Sequence, residues 1–226
     1  MRTLKFFIGI LLIPLCYVAI RTWIDLVLEL RPDRVSQVPP TTWGLLGGFL
    51  LWLVIFYALP RPIRSYVLAH ELTHALWGAF MGARVYNINV SGKGGSVQLS
   101  KTNFLIVLAP YFFPLYTILV IIGYTILCAF FDMRPYAPIW LALVGLTWGF
   151  HLTFTTTMLM SHQSDIQEGG KLFSYTIIIL FNMMGLCLWI VAIAPPTIEL
   201  LETTFLTHLH VVCDRIGGGI SQNWER

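Results

Sequence analysis

Tyr66-Val67-Leu68-Ala69-His70-Glu71-Leu72-Thr73-His74-Ala75-Leu76-Trp77-Gly78-Ala79-Phe80 is an H-E-x-x-H sequence set in an apolar run. The stretch predicts a helix over 63–82. On a helix, residues four apart share one face. His70 and His74 are therefore placed to hold one metal ion between them. Glu71, directly after the first ligand, can reach a water on that metal. Two imidazoles with an adjacent carboxylate are the donor set of zinc hydrolases, in which the carboxylate takes the water's proton. Chance gives the pattern roughly once in 200 chains of this length and composition. A carboxylate within an apolar membrane helix is costly and marks function by default.

The composition around the motif sets the fold class. Of 226 residues, 57% are hydrophobic and only 11% charged. A soluble domain carries about 25% charged residues. No Asp, Glu, Lys or Arg occurs from Thr102 to Phe131, from Pro135 to Ser164, or from Leu172 to Ile198. Apolar blocks of that length are transmembrane helices. The expectation is an all-α polytopic membrane protein of about six transmembrane helices. The spans fall at 6–20, with an interfacial continuation through Leu30 whose polar face is Arg21, Asp25 and Glu29, and at 43–59, 63–82, 103–131, 136–160 and 172–194. Residues 84–101 break the pattern, because Tyr86, Ile88 and Val90 alternate with Asn87 and Asn89, and a glycine turn follows at 92–95. This predicts a small β-hairpin after the H-E-x-x-H helix. Its edge could pair with an extended peptide by strand addition.

Several function classes drop out. The net charge of +3 comes from scattered Lys and Arg, with no basic run suited to nucleic acid. The four cysteines show no C-x-x-C spacing, and three lie in apolar segments, as small buried residues do. The apolar run after Arg2 and Lys5 lacks a small-residue cleavage site, so a membrane helix is expected there, not a signal peptide. Lys and Arg divide seven against seven between the two sides of a six-span chain, which gives no orientation and leaves the membrane unnamed.

A catalytic zinc takes three protein ligands and keeps one position for water. Near the apolar blocks the remaining candidates are His151, His162, Asp165 and Glu168. Asp165 is preferred, because it lies in a polar break just before Gly169-Gly170. His162 is its first rival. His151, inside an apolar block, is a further candidate as ligand, ligand support or substrate hydrogen-bonder. His208, His210, Cys213 and Asp214 read as part of a solvated tail, not as a second metal site. Bringing Asp165 to His70 poses a topological problem. If 103–131 and 136–160 each cross once, Asp165 emerges at the opposite surface. Either 161–170 folds back, or 103–131 is not a single crossing.

With these features in order, the chain resembles the site-2 protease family of intramembrane zinc metalloproteases. His70-Glu71-Leu72-Thr73-His74-Ala75 matches the family's first motif. A hairpin containing Gly94-Gly95-Ser96-Val97 follows, and Ala109-Pro110 stands where the family often has Gly-Pro. Asp165 stands where the family has its third ligand, although Ile166 follows it where the family has glycine. The match spans roughly residues 66–180. It implies a membrane-embedded zinc endopeptidase holding one Zn2+ per chain on His70, His74 and Asp165, with Glu71 as general base. The implied substrate is a membrane protein or peptide cleaved in or near the bilayer.

On this reading residues 1–60 are two N-terminal transmembrane helices, 61–194 the metalloprotease core and 195–226 an extramembrane tail. Asn103 and His151 are candidate substrate-binding or oxyanion-stabilising residues. The same residues also suit a metal-binding membrane protein without proteolytic activity, a transporter or sensor, and a degenerate motif would leave a scaffold.

Overall fold

The computed structural model describes residues 2–30, 40–92, 94–193 and 196–224. Most of the loop expected at 31–42, Lys93 of the hairpin turn and Pro195 lie outside the described residues. Nine α-helices are described: α1 Arg2–Leu28, α2 Trp43–Ala58, α3 Ile63–Phe80, α4 Phe104–Leu108, α5 Leu115–Cys128, α6 Ala137–Leu159, α7 Ser164–Gly169, α8 Lys171–Ile193 and α9 Ile198–Trp224. Between α3 and α4 lie β1 Val85–Ser91 and β2 Gly94–Leu99. The chain divides into two units, Met1–Pro39 with Gly169–Arg226, and Pro40–Glu168.

Among the described residues, three helices are long and apolar enough to cross a membrane: α1, α6 with the 3-10 turn before it, and α8. The block expected as one span at 103–131 is broken. Its halves, Phe104–Tyr111 and Leu115–Cys128, meet at 81° and can count together as a fourth span. Phe112-Phe113-Pro114 makes the break, since proline cannot continue the ladder and disfavours helix in the residue before it. The helices expected at 43–59 and 63–82 form as α2 and α3, with 16 and 18 residues. Length and composition thus support three to four spans where about six were expected.

In the Pro40–Glu168 unit, α2 and α6 pack by glycine. Gly44 and Gly48 on α2 lie against Pro138 and Ala142 of α6, and Gly145 and Gly149 on α6 against Leu45, Phe49 and Trp52 of α2. A Cβ on Gly48 would stand 1.8 Å from the Ala142 carbonyl oxygen, and one on Gly145 1.9 Å from that of Leu45. Small residues four apart let two backbones touch, which supplies the packing that apolar surroundings do not drive. Toward the end of this seam Trp52 donates its indole N–H to Thr153 Oγ1 at 2.9 Å. Trp52, Phe56, Phe150 and Phe154 then form a core with Tyr66 and Val67 of α3. Tyr66 stacks on Phe154 at 4.8 Å and 10°. The motif helix is therefore anchored on the α2–α6 pair through its first turns.

The hairpin forms as expected over 84–101. β1 and β2 pair antiparallel, Ile88 opposite Val97 and Val90 opposite Gly95, with an irregularity between Val85 and Asn87. That irregularity is one extra residue, Tyr86, which bends the strand as a bulge does. Gly82 turns the chain out of α3 at φ +72°, a conformation that favours glycine. Leu99 closes against Gly78 of α3, where a Cβ would come within 2.9 Å. The hairpin thus lies along the motif helix.

In the other unit α1 runs unbroken from Arg2 to Leu28, longer than the apolar run alone implied. Gly9 admits the α8 backbone at Phe173, 3.0 Å from a built Cβ, and Cys16 donates to the Thr176 carbonyl at 3.3 Å. The tail read as solvated and mixed is the 27-residue helix α9. Leu201 of α9 is buried with Leu26 and Cys187, and His208 Nε2 meets Asp25 Oδ2 at 2.7 Å. Apolar side chains on one face of α9 thus find a partner, which explains why the segment is a helix.

Candidate metal centre

Three donor atoms converge at the middle of α3. His70 Nε2 and His74 Nε2 are 3.2 Å apart. Asp165 Oδ2, from the first turn of α7, is 3.2 Å from His70 Nε2 and 3.5 Å from His74 Nε2. Zinc ligands at about 2.0–2.1 Å in a tetrahedron lie about 3.3 Å from one another. The triangle has the size of one face of that tetrahedron, and two imidazoles with a carboxylate suit zinc in chemistry as well. The residues therefore fit the ion. They are the one group of three or more such side chains that converges among the described residues.

Each donor is aimed by an outer hydrogen bond. His74 Nδ1 lies 2.8 Å from the Ile106 carbonyl oxygen. A carbonyl only accepts, so Nδ1 carries the proton and Nε2 presents its lone pair. His70 Nδ1 lies 3.2 Å from the Tyr66 hydroxyl. Tyr111 donates its hydroxyl to Asp165 Oδ2 at 3.0 Å. Such partners fix ring orientation and ligand basicity in metal sites. Burial works to raise the Asp165 pKa, but the hydrogen bonds and positive charge that His70 and His74 offer when protonated outweigh it and hold the carboxyl well below the usual range. Asp165 is thus an anion, as a carboxylate ligand must be.

The broken segment supplies two of these partners. Asn103 caps α4 by accepting from the Ile106 N–H at 3.0 Å. That cap sets the short helix whose Ile106 carbonyl receives His74. Tyr111 closes the 3-10 turn Ala109–Tyr111 just before the break, and it is fully buried. The 103–131 block, one of the two places where the chain could turn to bring Asp165 home, is bent by 81° between its halves.

Glu71 is buried, 6% exposed, and it lies against the hairpin. A Cβ on Gly95 would stand 2.6 Å from Glu71 Cγ and 2.8 Å from Oε1. Only glycine lets β2 pass this close. An open cleft of about 640 Å³ borders His70, Glu71, His74 and Asp165. Gly94-Gly95-Ser96-Val97 of β2 line it, as do Ile106, Val107 and Met158.

The other residues singled out in the sequence lie elsewhere. His162 is exposed, its Nδ1 3.1 Å from the Gln167 amide, and takes no part in the triangle. The Asn103 amide nitrogen contacts Met81 Sδ at 2.9 Å while its oxygen caps α4, and the residue does not border the cleft. His151 is buried beside a separate small cavity that also borders His70. Of the Gly169-Gly170 pair, Gly170 serves a turn at φ +85° with nothing within 4 Å of a Cβ, and a Cβ on Gly169 would stand 2.6 Å from Ser174 Oγ. Sequence reasoning missed Tyr66, Tyr111 and the Ile106 carbonyl. Tyr66 carried a signal, because it precedes His70 by the same four residues that separate His70 from His74. No protein-family model, curated protein or solved structure matches the chain.

Proposed function

We propose that the protein is a multi-pass, membrane-embedded zinc endopeptidase of the site-2 protease type. The observation that carries this reading is the triangle of His70 Nε2, His74 Nε2 and Asp165 Oδ2, with edges of 3.2, 3.2 and 3.5 Å, beside Glu71. His70, His74 and Asp165 hold one zinc ion. A zinc ion at such a donor set supplies Lewis acidity and makes a water acidic enough to attack near neutral pH. Taking α2 and α3 as short crossings, with α1, the α4–α5 pair, α6 and α8, gives six.

The chain's own groups do the rest. Glu71 takes the proton of the attacking water and returns it to the leaving amine. Gly95 lets the hairpin backbone lie over the glutamate without displacing it. The β2 segment bordering the cleft offers backbone groups to an extended substrate, which adds as a third strand. A membrane segment unwinding into the cleft meets Val97, Ile106, Val107 and Met158, side chains suited to apolar residues.

Glu71→Gln is the test. With zinc content unchanged, cleavage of a membrane-peptide substrate is expected to fall about 10²- to 10⁴-fold. Undiminished cleavage by the folded variant would overturn the proposal. Wild type that binds zinc yet cleaves no peptide, and instead shows metal flux or a metal-dependent conformational response, would establish the transporter or sensor reading.

A further inference from the structure

His151 is 8% exposed, and its Nε2 has no hydrogen-bond partner among the described residues. Buried polar side-chain atoms nearly always have a partner, protein or water. The ring borders a cavity of about 20 Å³ that is also lined by Tyr66, His70, Thr73 and Thr147. That is room for a single water, which needs about 10–15 Å³ and two to four polar partners. The cavity is distinct from the cleft, which His151 does not border.

The hydrogen bonds of Tyr66 give this cavity a role. With His70 Nε2 turned to the donor triangle, a neutral His70 carries its proton on Nδ1. It then donates to the Tyr66 hydroxyl oxygen, 3.2 Å away. The Tyr66 hydroxyl proton is left seeking an acceptor, and the contact with His70 is the hydroxyl's one hydrogen bond among the described residues. In its Nδ1-protonated tautomer, His151 Nε2 is an acceptor seeking a donor. Tyr66 and His151 both line the same one-water space.

We propose that this cavity is a water site joining Tyr66 to His151, which makes His151 a positioning residue for the ligand His70. The order of donation is His70 Nδ1–H to Tyr66, Tyr66 O–H to the water, and the water to His151 Nε2. His151 thereby orients Tyr66 and, through it, the His70 ring. The inference rests on the metal-centre reading and deepens it.

The experiment is chelator competition for zinc on the purified full-length protein in detergent. His151→Phe keeps the ring's bulk and removes the acceptor. It is expected to weaken zinc about tenfold, with His151→Gln restoring most of the loss. Tyr66→Phe should weaken zinc similarly, and Tyr66→Phe/His151→Phe no further, because both remove one chain of bonds. Wild-type affinity in His151→Phe, or additive losses in the double variant, overturns the proposal while leaving the zinc centre standing. Wild type that binds no zinc overturns the metal centre and the proposal together. Should His151→Phe fail to fold, ¹⁵N-histidine NMR of wild type and Tyr66→Phe decides. A neutral His151 protonated on Nδ1, whose Nε2 signal moves in Tyr66→Phe, supports the relay. An Nε2 signal that stays fixed overturns it.

Discussion

Gly95 and Glu71 show how much at this site depends on single atoms. A methyl group on residue 95 would sit 2.6 Å from Glu71 Cγ, well inside van der Waals contact. The nearest clashing atom belongs to the Glu71 side chain, which lines the open cleft, so the added methyl would displace the carboxylate. Gly95→Ala is therefore expected to shift the carboxylate and lower peptide hydrolysis about 10- to 100-fold. Zinc content should not change, because no ligand is touched. Hydrolysis rate and metal content measured on one sample check this, and loss of zinc with activity would refute it. The ligand set makes a complementary prediction. His74→Ala and Asp165→Ala are expected to lose the roughly one zinc per chain that wild type and His162→Ala retain. Mass-spectrometric metal analysis reads all four. His162 is exposed beside Gln167, so its loss should be silent.

At the scale of elements, the packing that holds α3 is as sensitive as the site. The α2 and α6 backbones meet at Gly48 and Gly145, where the atoms a Cβ would strike are carbonyl oxygens and not flexible side-chain ends. Gly48→Val must push the helices apart and with them the Trp52–Thr153 hydrogen bond and the aromatic core that anchors Tyr66. A cost of about 3 kcal/mol or more is expected, since overpacking a tight contact destabilises by that order. Fluorescence-detected size exclusion after mild heating should show loss of the monodisperse peak. Gly47→Val is the control, with nothing within 4 Å of its Cβ. Element scale is also where the sequence was most and least informative. The motif helix, the hairpin and the polar break before α8 follow from spacing, alternation and charge, which are local properties. Asp165 was legible because a carboxylate between apolar blocks stands out. Tyr111 and the Ile106 carbonyl were not, because their reach to Asp165 and His74 depends on an 81° bend that apolar composition conceals. The helix α9 was hidden for a related reason. Its polar residues and the glycines at 217–219 read as tail, and what makes it a helix is Leu201 and His208 meeting α1, a contact between segments about 180 residues apart.

For the whole molecule, a zinc ion would tie together parts of the Pro40–Glu168 unit that sequence separates. His70 and Asp165 are 95 residues apart in the chain, and Asp165 sits on a six-residue helix too short to be stable by itself. A ligand that binds only the folded state stabilises it by RT ln(1 + [L]/Kd), about 2.7 kcal/mol at a free concentration of 100 Kd. Chelating the metal is therefore expected to lower the thermal unfolding midpoint of wild type in detergent by several degrees, and readded zinc to restore it. His74→Ala should unfold at one midpoint with or without chelator. Hydrogen exchange should place the effect: amides of α3, α4 and α7 exchange faster without metal. The Cys16–Thr176 and Asp25–His208 contacts of the other unit involve no donor of the triangle, so amides of α1, α8 and α9 should exchange at the same rate in both states. A uniform acceleration across both units would mean that the metal holds the entire fold. An unchanged midpoint in zinc-replete wild type would mean that the triangle closes without a metal, on hydrogen bonds among His70, His74, Asp165 and Tyr111 alone.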